Sequence, residues 1–274
     1  MSTDARRRSL IFPREHGAWG MLLVPLVTGA AVGLLDGGNW PALAPLTIVA
    51  LSLFWMRTPL ESWIGAAAIR ARSDGELALV RNVVAILALV SAGAAIWLFW
   101  GFRNFHLLWI GAAAGAAFVV QAVVKRGWNR ARTAPQIIGA AGLTSLAAAG
   151  YGAATGRLDA QAWTAWLANF LFAFNQIQYV HLRIEGARAA SSKEKLLLGR
   201  GFLLGHVGLT VVLGLAAAAH LFPWWAAAAF VPVLVRGFSW FVAPPRPLAI
   251  YALGKQELAL SIVFGILLVA GFRT

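Results

Sequence analysis

Two stretches of this 274-residue chain combine residue types and spacings that could do chemistry. The first is Pro13-Arg14-Glu15-His16-Gly17-Ala18-Trp19-Gly20. A guanidinium such as Arg14 can hold a phosphate or carboxylate, and His16 can accept or donate a proton near neutral pH, with Glu15 beside it as an alternative base. The same residues also suit the plain start of a membrane span: proline opens it, charge meets the headgroups and Trp19 anchors the interface. The second stretch holds Asn169, Asn175, Gln176, Gln178, Tyr179, His181 and Arg183 within fifteen residues of a largely apolar run. At helical spacing Asn175, Gln178, Tyr179, Leu182 and Arg183 share a face. Amides are costly in lipid, so this face must turn inward. There it either ties helices together or lines a polar pocket that opens at the Arg183 end.

Other candidates are simpler. Arg57, followed by Pro59 and Glu61, either snorkels to the interface or contacts an anion, with Glu61 orienting it. Gln121, Lys125, Arg126, Asn129, Arg130 and Arg132 form a basic cluster that orients the chain and places Arg130 within reach of a headgroup or phosphate. Glu257 either caps the last span or reaches inward towards Arg183 or Arg57. His206 suits a contact with another helix better than a metal. No two histidines have ligand spacing and cysteine is absent, so no metal site is expected.

These residues are carried by a chain that is 60% hydrophobic and 12% charged, with a mean hydropathy of +0.73. A soluble domain carries about a quarter charged residues, so the chain reads as an all-α polytopic membrane bundle forming one domain, 1–274. Barrel strands would alternate polar and apolar residues, whereas these apolar runs are continuous and of helix length. About nine can be drawn: 17–35, 42–60, 78–100, 106–125, 134–155, 162–183, 202–220, 222–242 and 256–271. The seventh and eighth meet at Leu221–Pro223 as a hairpin or one broken element. The segment 61–70 suits an interfacial helix, and Ser191-Ser192 a helix cap. Glycines four apart (Gly29/Gly33, Gly111/Gly115, Gly201/Gly205) and the Gly139–Gly142 group suit close helix packing or a homo-oligomer face.

Of the 23 basic residues, all but Arg103, Arg157 and Arg273 fall on alternate connections. The positive-inside rule then puts the N-terminus in the cytoplasm and the C-terminus outside. The net charge of +13 therefore orients the chain and meets anionic lipid rather than nucleic acid.

Pro13, His16-Gly17-Ala18-Trp19, Pro25, Arg57 with Pro59, the Asn175/Tyr179/Arg183 ladder and Gly254/Glu257 resemble the bacterial YwiC-like proteins over nearly the whole chain. That resemblance implies a multi-pass protein of the bacterial cytoplasmic membrane and brings no activity with it. The architecture is also similar to UbiA-type intramembrane prenyltransferases, whose Asp-rich motifs hold Mg²⁺ against an isoprenoid diphosphate. The matching regions here, Arg57–Glu61 and Asn175–Arg183, lack the paired aspartates. Only Glu61, Asp74 and Glu76 are placed to help, so the resemblance implies the fold without its Mg²⁺ chemistry. The cofactor stays unknown.

Three functions follow. The first is a permease-like protein moving a small polar solute through a cytoplasm-facing pocket. The second is a UbiA-like enzyme or binder for an anionic-headed isoprenoid or lipid, with Arg14, Arg57, Arg130 and Arg183 on the head and His16 or Glu15 as base. The third is an assembly partner of another membrane protein. For the first two, the substrate-binding residues would be Arg14, His16, Arg57, Arg130, Asn175, Tyr179, Arg183 and Glu257. The orientation is directly testable because the chain has no cysteine. In intact cells an impermeant maleimide should label Ala160→Cys and leave Thr3→Cys untouched; the reverse pattern would invert the topology.

Overall fold

The computed structural model describes residues 3–13, 16–65, 69–127, 133–187, 189, 191–244 and 248–273; the side chains of Thr3, Asp4, 16–18 and 125–127 lie outside that description. Among the described residues the secondary structure is entirely helical: α1 (Thr3–Ile11), α2 (His16–Leu35), α3 (Leu43–Trp63), α4 (Asp74–Ile96) with a π-helical turn at Trp97–Gly101, α5 (Leu107–Gly127), α6 (Ala134–Thr144), α7 (Leu146–Thr155), α8 (Ala160–Gly186), α9 (Ser192–Ala218), α10 (Trp224–Ala228), α11 (Val231–Val242) and α12 (Ile250–Phe272). Each of the nine expected runs is a helix or a pair of helices in line. Seven are long and apolar enough to cross a membrane. The other two are α2, whose described apolar part is Trp19–Leu35, and α8, which is long but carries the amide ladder.

Three expectations need correcting. The second run does not stop at residue 60: α3 continues through Pro59 to Trp63 and ends in a turn at Gly65, where φ is +73°. Glu61–Trp63 therefore belong to α3 rather than to a separate interfacial helix; 66–68 lie outside the described residues. The seventh run starts ten residues earlier than expected, because Ser191 accepts a hydrogen bond from the Glu194 N–H and caps α9. Its far end is a hairpin rather than a broken element, turned at His220 (φ +56°) before α10 begins.

Helix packing explains half of the glycine pairs. A Cβ on Gly29 would overlap the Ala147 backbone, one on Gly33 would meet Ala154, and Gly150 faces Leu26 and Ala30. The α2 and α7 backbones thus lie nearly in contact, the close approach that small residues permit in lipid. Gly139 leaves room for the Gln121 side chain of α5, which a Cβ would overlap, while Gly142 sits in ordinary contact with Ala117 and Ala114 of the same helix. Gly111, Gly115, Gly201 and Gly205 instead face open space on α5 and α9. Those two helices, with α4, also expose Leu89, Trp109 and Leu204, the pattern of a lipid-facing surface. The core is divided. One cluster joins Leu26, Leu46, Leu98, Leu107 and Tyr151; another stacks Phe172 on Phe264, with centroids 4.1 Å apart, and adds Phe230 and Leu268.

The connections are pinned by charge. At the end expected to be external, the Tyr151 hydroxyl lies 2.5 Å from Asp36 Oδ2 and 2.8 Å from Asp159 Oδ2 and shares its one proton between them, and Arg157 donates to the same two carboxylates. Asp159 also caps α8 by accepting from the Gln161 and Ala162 N–H groups. Burial pushes the Asp159 pKa up, but its bonds from Tyr151, Arg157 and the two amides outweigh that and hold it below its ordinary value. At the other end Arg6 donates to Glu76, and Trp55 donates to the Ile11 carbonyl, fastening α1 across α3 and α4.

The two kinds of glycine should respond differently to substitution. Gly29→Val should lower stability by about 1–3 kcal/mol or prevent accumulation, whereas Gly111→Ala should be neutral. Thermal unfolding of the detergent-solubilised protein, followed by tryptophan fluorescence, distinguishes them.

Candidate functional site

The residues with most chemical potential meet where α8, α9, α11 and α12 pack together. Arg236 of α11 is 6% exposed and donates from Nη1 to Glu257 Oε2 of α12. Its Nη2 donates to Asn175 Oδ1 of α8 at 3.1 Å. The guanidinium lies over the Tyr179 ring, 3.9 Å from the centroid, one turn after Asn175 on the same face. This cation–π contact covers the charge on one side.

From Asn175 the network continues to α9. His206 Nε2 lies 3.1 Å from the Leu234 carbonyl, which can only accept, so Nε2 carries the proton. Nδ1 is then free to accept from Asn175 Nδ2 at 2.8 Å, which leaves Asn175 Oδ1 for Arg236. Each assignment forces the next, and His206 is the neutral Nε2–H tautomer. Its ring is fixed between Phe202 and Phe238, at 4.8 and 4.7 Å, and fits only because position 237 is glycine: a Cβ there would overlap the imidazole. On the other side Gln176 Nε2 donates to the Glu257 carbonyl and to Ser261 Oγ, both at 2.9 Å. Beside Gln176 and Ser261 is a cavity of about 10 Å³ that also touches Pro25, Thr144 and Asn169. It is at the lower size limit for one water.

The ion pair is incomplete. Glu257 uses one oxygen on one guanidinium nitrogen, and neither Glu257 Oε1 nor Arg236 Nε has a hydrogen-bond partner among the described residues. A buried polar group without a partner costs about 1–3 kcal/mol, and more when charged. Groups in that condition can take further bonds. A second cation secures α11 nearby: Lys195, 3% exposed, donates from Nζ to the Trp240 and Ala243 carbonyls at 2.6 and 2.5 Å and lies over the Trp240 ring. It thereby satisfies carbonyls at the C-terminal end of α11, where a positive charge also suits the helix dipole.

The expected site residues divide into three groups. Asn175, Tyr179 and Glu257 meet in this network, and Arg183, half-buried in the last turn of α8, lies within electrostatic reach of Tyr179 and Glu257. Arg57 is not part of it: its Nε donates to Glu61 Oε1 at 3.0 Å, a local pair one helical turn apart. Arg14, Glu15 and Arg130 lie outside the described residues, as does the side chain of His16, which begins α2. Glu257 turns inward, but its partner is Arg236 rather than Arg183 or Arg57. Sequence reasoning missed Arg236 and Lys195 because both passed as orienting charges. A signal was present for Arg236: it lies five residues into an apolar helix, too deep for a residue that marks a boundary.

Breaking the pair should cost more than removing it. Arg236→Ala should destabilise the protein by about 3–5 kcal/mol by leaving Glu257 buried without its counter-charge, whereas Arg236→Met with Glu257→Leu should lose far less. Thermal unfolding of both variants measures the difference; equal losses would mean that the charges barely interact.

Among the described residues no group of three or more His, Asp or Glu side chains is placed to hold a metal. Neither a curated protein nor a solved structure matches the chain. A family model, YwiC-like protein, matches residues 12–151. The match takes in the His16–Trp19 motif, Pro25, Arg57 and Pro59. It stops before α8, so the Asn175/Tyr179/Arg183 ladder and Glu257 lie beyond it and the likeness is narrower than the motifs suggest. The matched residues are just over half of a multi-span helical membrane protein, and the chain belongs to the YwiC-like family.

Proposed function

We propose that this protein is a permease-like carrier of the bacterial cytoplasmic membrane, with its N-terminus in the cytoplasm and its solute-binding point at Arg236, Glu257, Asn175 and Tyr179. The supporting observation is the incomplete ion pair, a buried Arg and Glu in helices of a membrane bundle, each with an unused polar atom. Ionisable residues inside a bundle are expensive, and where they occur they mark substrate or ion paths. A pair kept only for stability would be expected to satisfy every atom or to be replaced by apolar packing at little cost. Here the guanidinium has donors to spare, and the conformation is closed around it. Arg183 and Tyr179 form the cytoplasmic approach. The clamp of Asp36, Tyr151, Arg157 and Asp159 closes the opposite end. The amphiphile-binding reading would use the same approach, with the tail among the aromatic side chains. The assembly-partner reading needs no opening at all.

Access to the site tests this without knowledge of the solute. Ser261→Cys is nearly isosteric, lies beside Gln176 and Glu257, and would be the chain's single thiol. In oriented proteoliposomes a carrier should let a small charged methanethiosulfonate reach this thiol from each face in turn. Reaction from the cytoplasmic face alone would favour the amphiphile binder, and no reaction from either face would favour the assembly partner.

A further inference from the structure

We infer that the Arg236 site takes a monocarboxylate together with one proton, and that Glu257 is the group that accepts the proton. The inference rests on the carrier reading and adds its substrate class and coupling. It follows from charge balance in a closed, low-dielectric site. As it stands, the site holds one cation and one anion, Arg236 and Glu257, with Glu257 8% exposed.

Apart from Arg236, the one cation facing Glu257 among the described residues is Arg183, which is only half-buried in the last turn of α8 and is screened by solvent there. From α11 there is Arg236; from α8 there are Asn175, Gln176, Tyr179 and, nearer the mouth, Arg183. The α9 contribution, reached through Asn175, is the neutral ring of His206. Along α12 itself the neighbour one turn on is Ser261, while Lys255 is exposed and lies over Tyr251. The α2 and α10 helices, which pack along α12, bring it no titratable group among the described side chains.

An incoming monoanion that pairs with Arg236 would therefore leave the site with one uncompensated negative charge. Burying an unpaired charge is prohibitive, and the ordinary escape is protonation. Among the described residues Glu257 is the only carboxyl in the network, and one of its oxygens has no hydrogen-bond partner among them. The exchange balances. The Glu257 Oε2 contact to Arg236 Nη1 breaks, the incoming carboxylate takes the guanidinium donors, including the unused Nε, and one proton from solution binds the Glu257 carboxylate. Protonated, Glu257 becomes a hydrogen-bond donor that can reach the bound anion, and the site is again neutral. A dianion such as a phosphate monoester would still leave a negative charge, so a single carboxylate fits better. The planar guanidinium also matches it geometrically.

Isothermal titration of the purified full-length protein with acetate, pyruvate and benzoate, in buffers of different ionisation enthalpy, counts the protons taken up per anion bound. The expected result for at least one of the three is uptake of about one proton, with affinity falling about tenfold per pH unit through the neutral range. Glu257→Gln, already neutral, should bind without proton uptake and with an affinity that does not change with pH. Binding to the wild-type protein without proton uptake would overturn the coupling. No binding of any of the three would overturn the substrate class. Reaction of Ser261→Cys with the thiol reagent judges separately whether the site opens, so failure here can be told apart from failure of the carrier reading.

Discussion

A guanidinium and a carboxylate held away from water within a helix bundle constrain everything around them. Each would cost several kcal/mol alone, and their mutual attraction repays this only with good geometry and further hydrogen bonds. Arg236 and Glu257 meet that condition through the helices beside them. Asn175 takes the second guanidinium nitrogen, Tyr179 covers the face of the charge, and Gln176 and Ser261 tie down the Glu257 backbone. The most polar helix in the bundle, α8, is therefore at the centre. Its amides cannot face lipid, and the charges on α11 and α12 cannot stand without them.

The remaining structure holds these four helices in register. His206 closes the contact between α8 and α9 and reaches the α11 backbone, where only glycine at position 237 leaves room for the ring. Lys195 holds the end of α11. On the other side of α8, Asn169 donates to Thr28, linking α8 to α2, which lies against α7 through backbone-to-backbone glycine contacts. The α4, α5 and α9 helices turn large apolar side chains outward, as lipid requires. The glycines left open on α5 and α9 show that small-residue spacing alone does not reveal which faces are used.

Much of the fold was legible because the bilayer imposes simple rules. Continuous apolar runs must be helices, and the runs from 17–35 to 256–271 all correspond to helices. Boundaries were less legible where local chemistry overrode hydropathy: Ser191 starts α9 among lysines, and Pro59 does not stop α3. The site was half legible. Asn175 and Tyr179 were visible because amides and a phenol at helical spacing are unusual in a span, and Glu257 because it is a carboxylate at the start of an apolar run. Arg236 was overlooked among the orienting charges before the last span, although its depth in the 222–242 run already sets it apart. Depth alone does not name a partner, and Glu257 is 21 residues away on another helix. Arg57, at the end of its run, has the ordinary outcome, a local pair with Glu61.

The central claim is that the Arg236–Glu257 contact is a closure that opens, rather than permanent glue. The chain lacks cysteine, and Ile184 on α8 and Val242 on α11 are both exposed, so spin labels at these two positions report directly on the separation of the helices that enclose the pair. Pulsed electron–electron resonance in lipid nanodiscs should show two distance populations, the longer one growing when Glu257→Gln weakens the contact. A single narrow distance, unchanged by that substitution, would contradict the account and make the pair a structural element only.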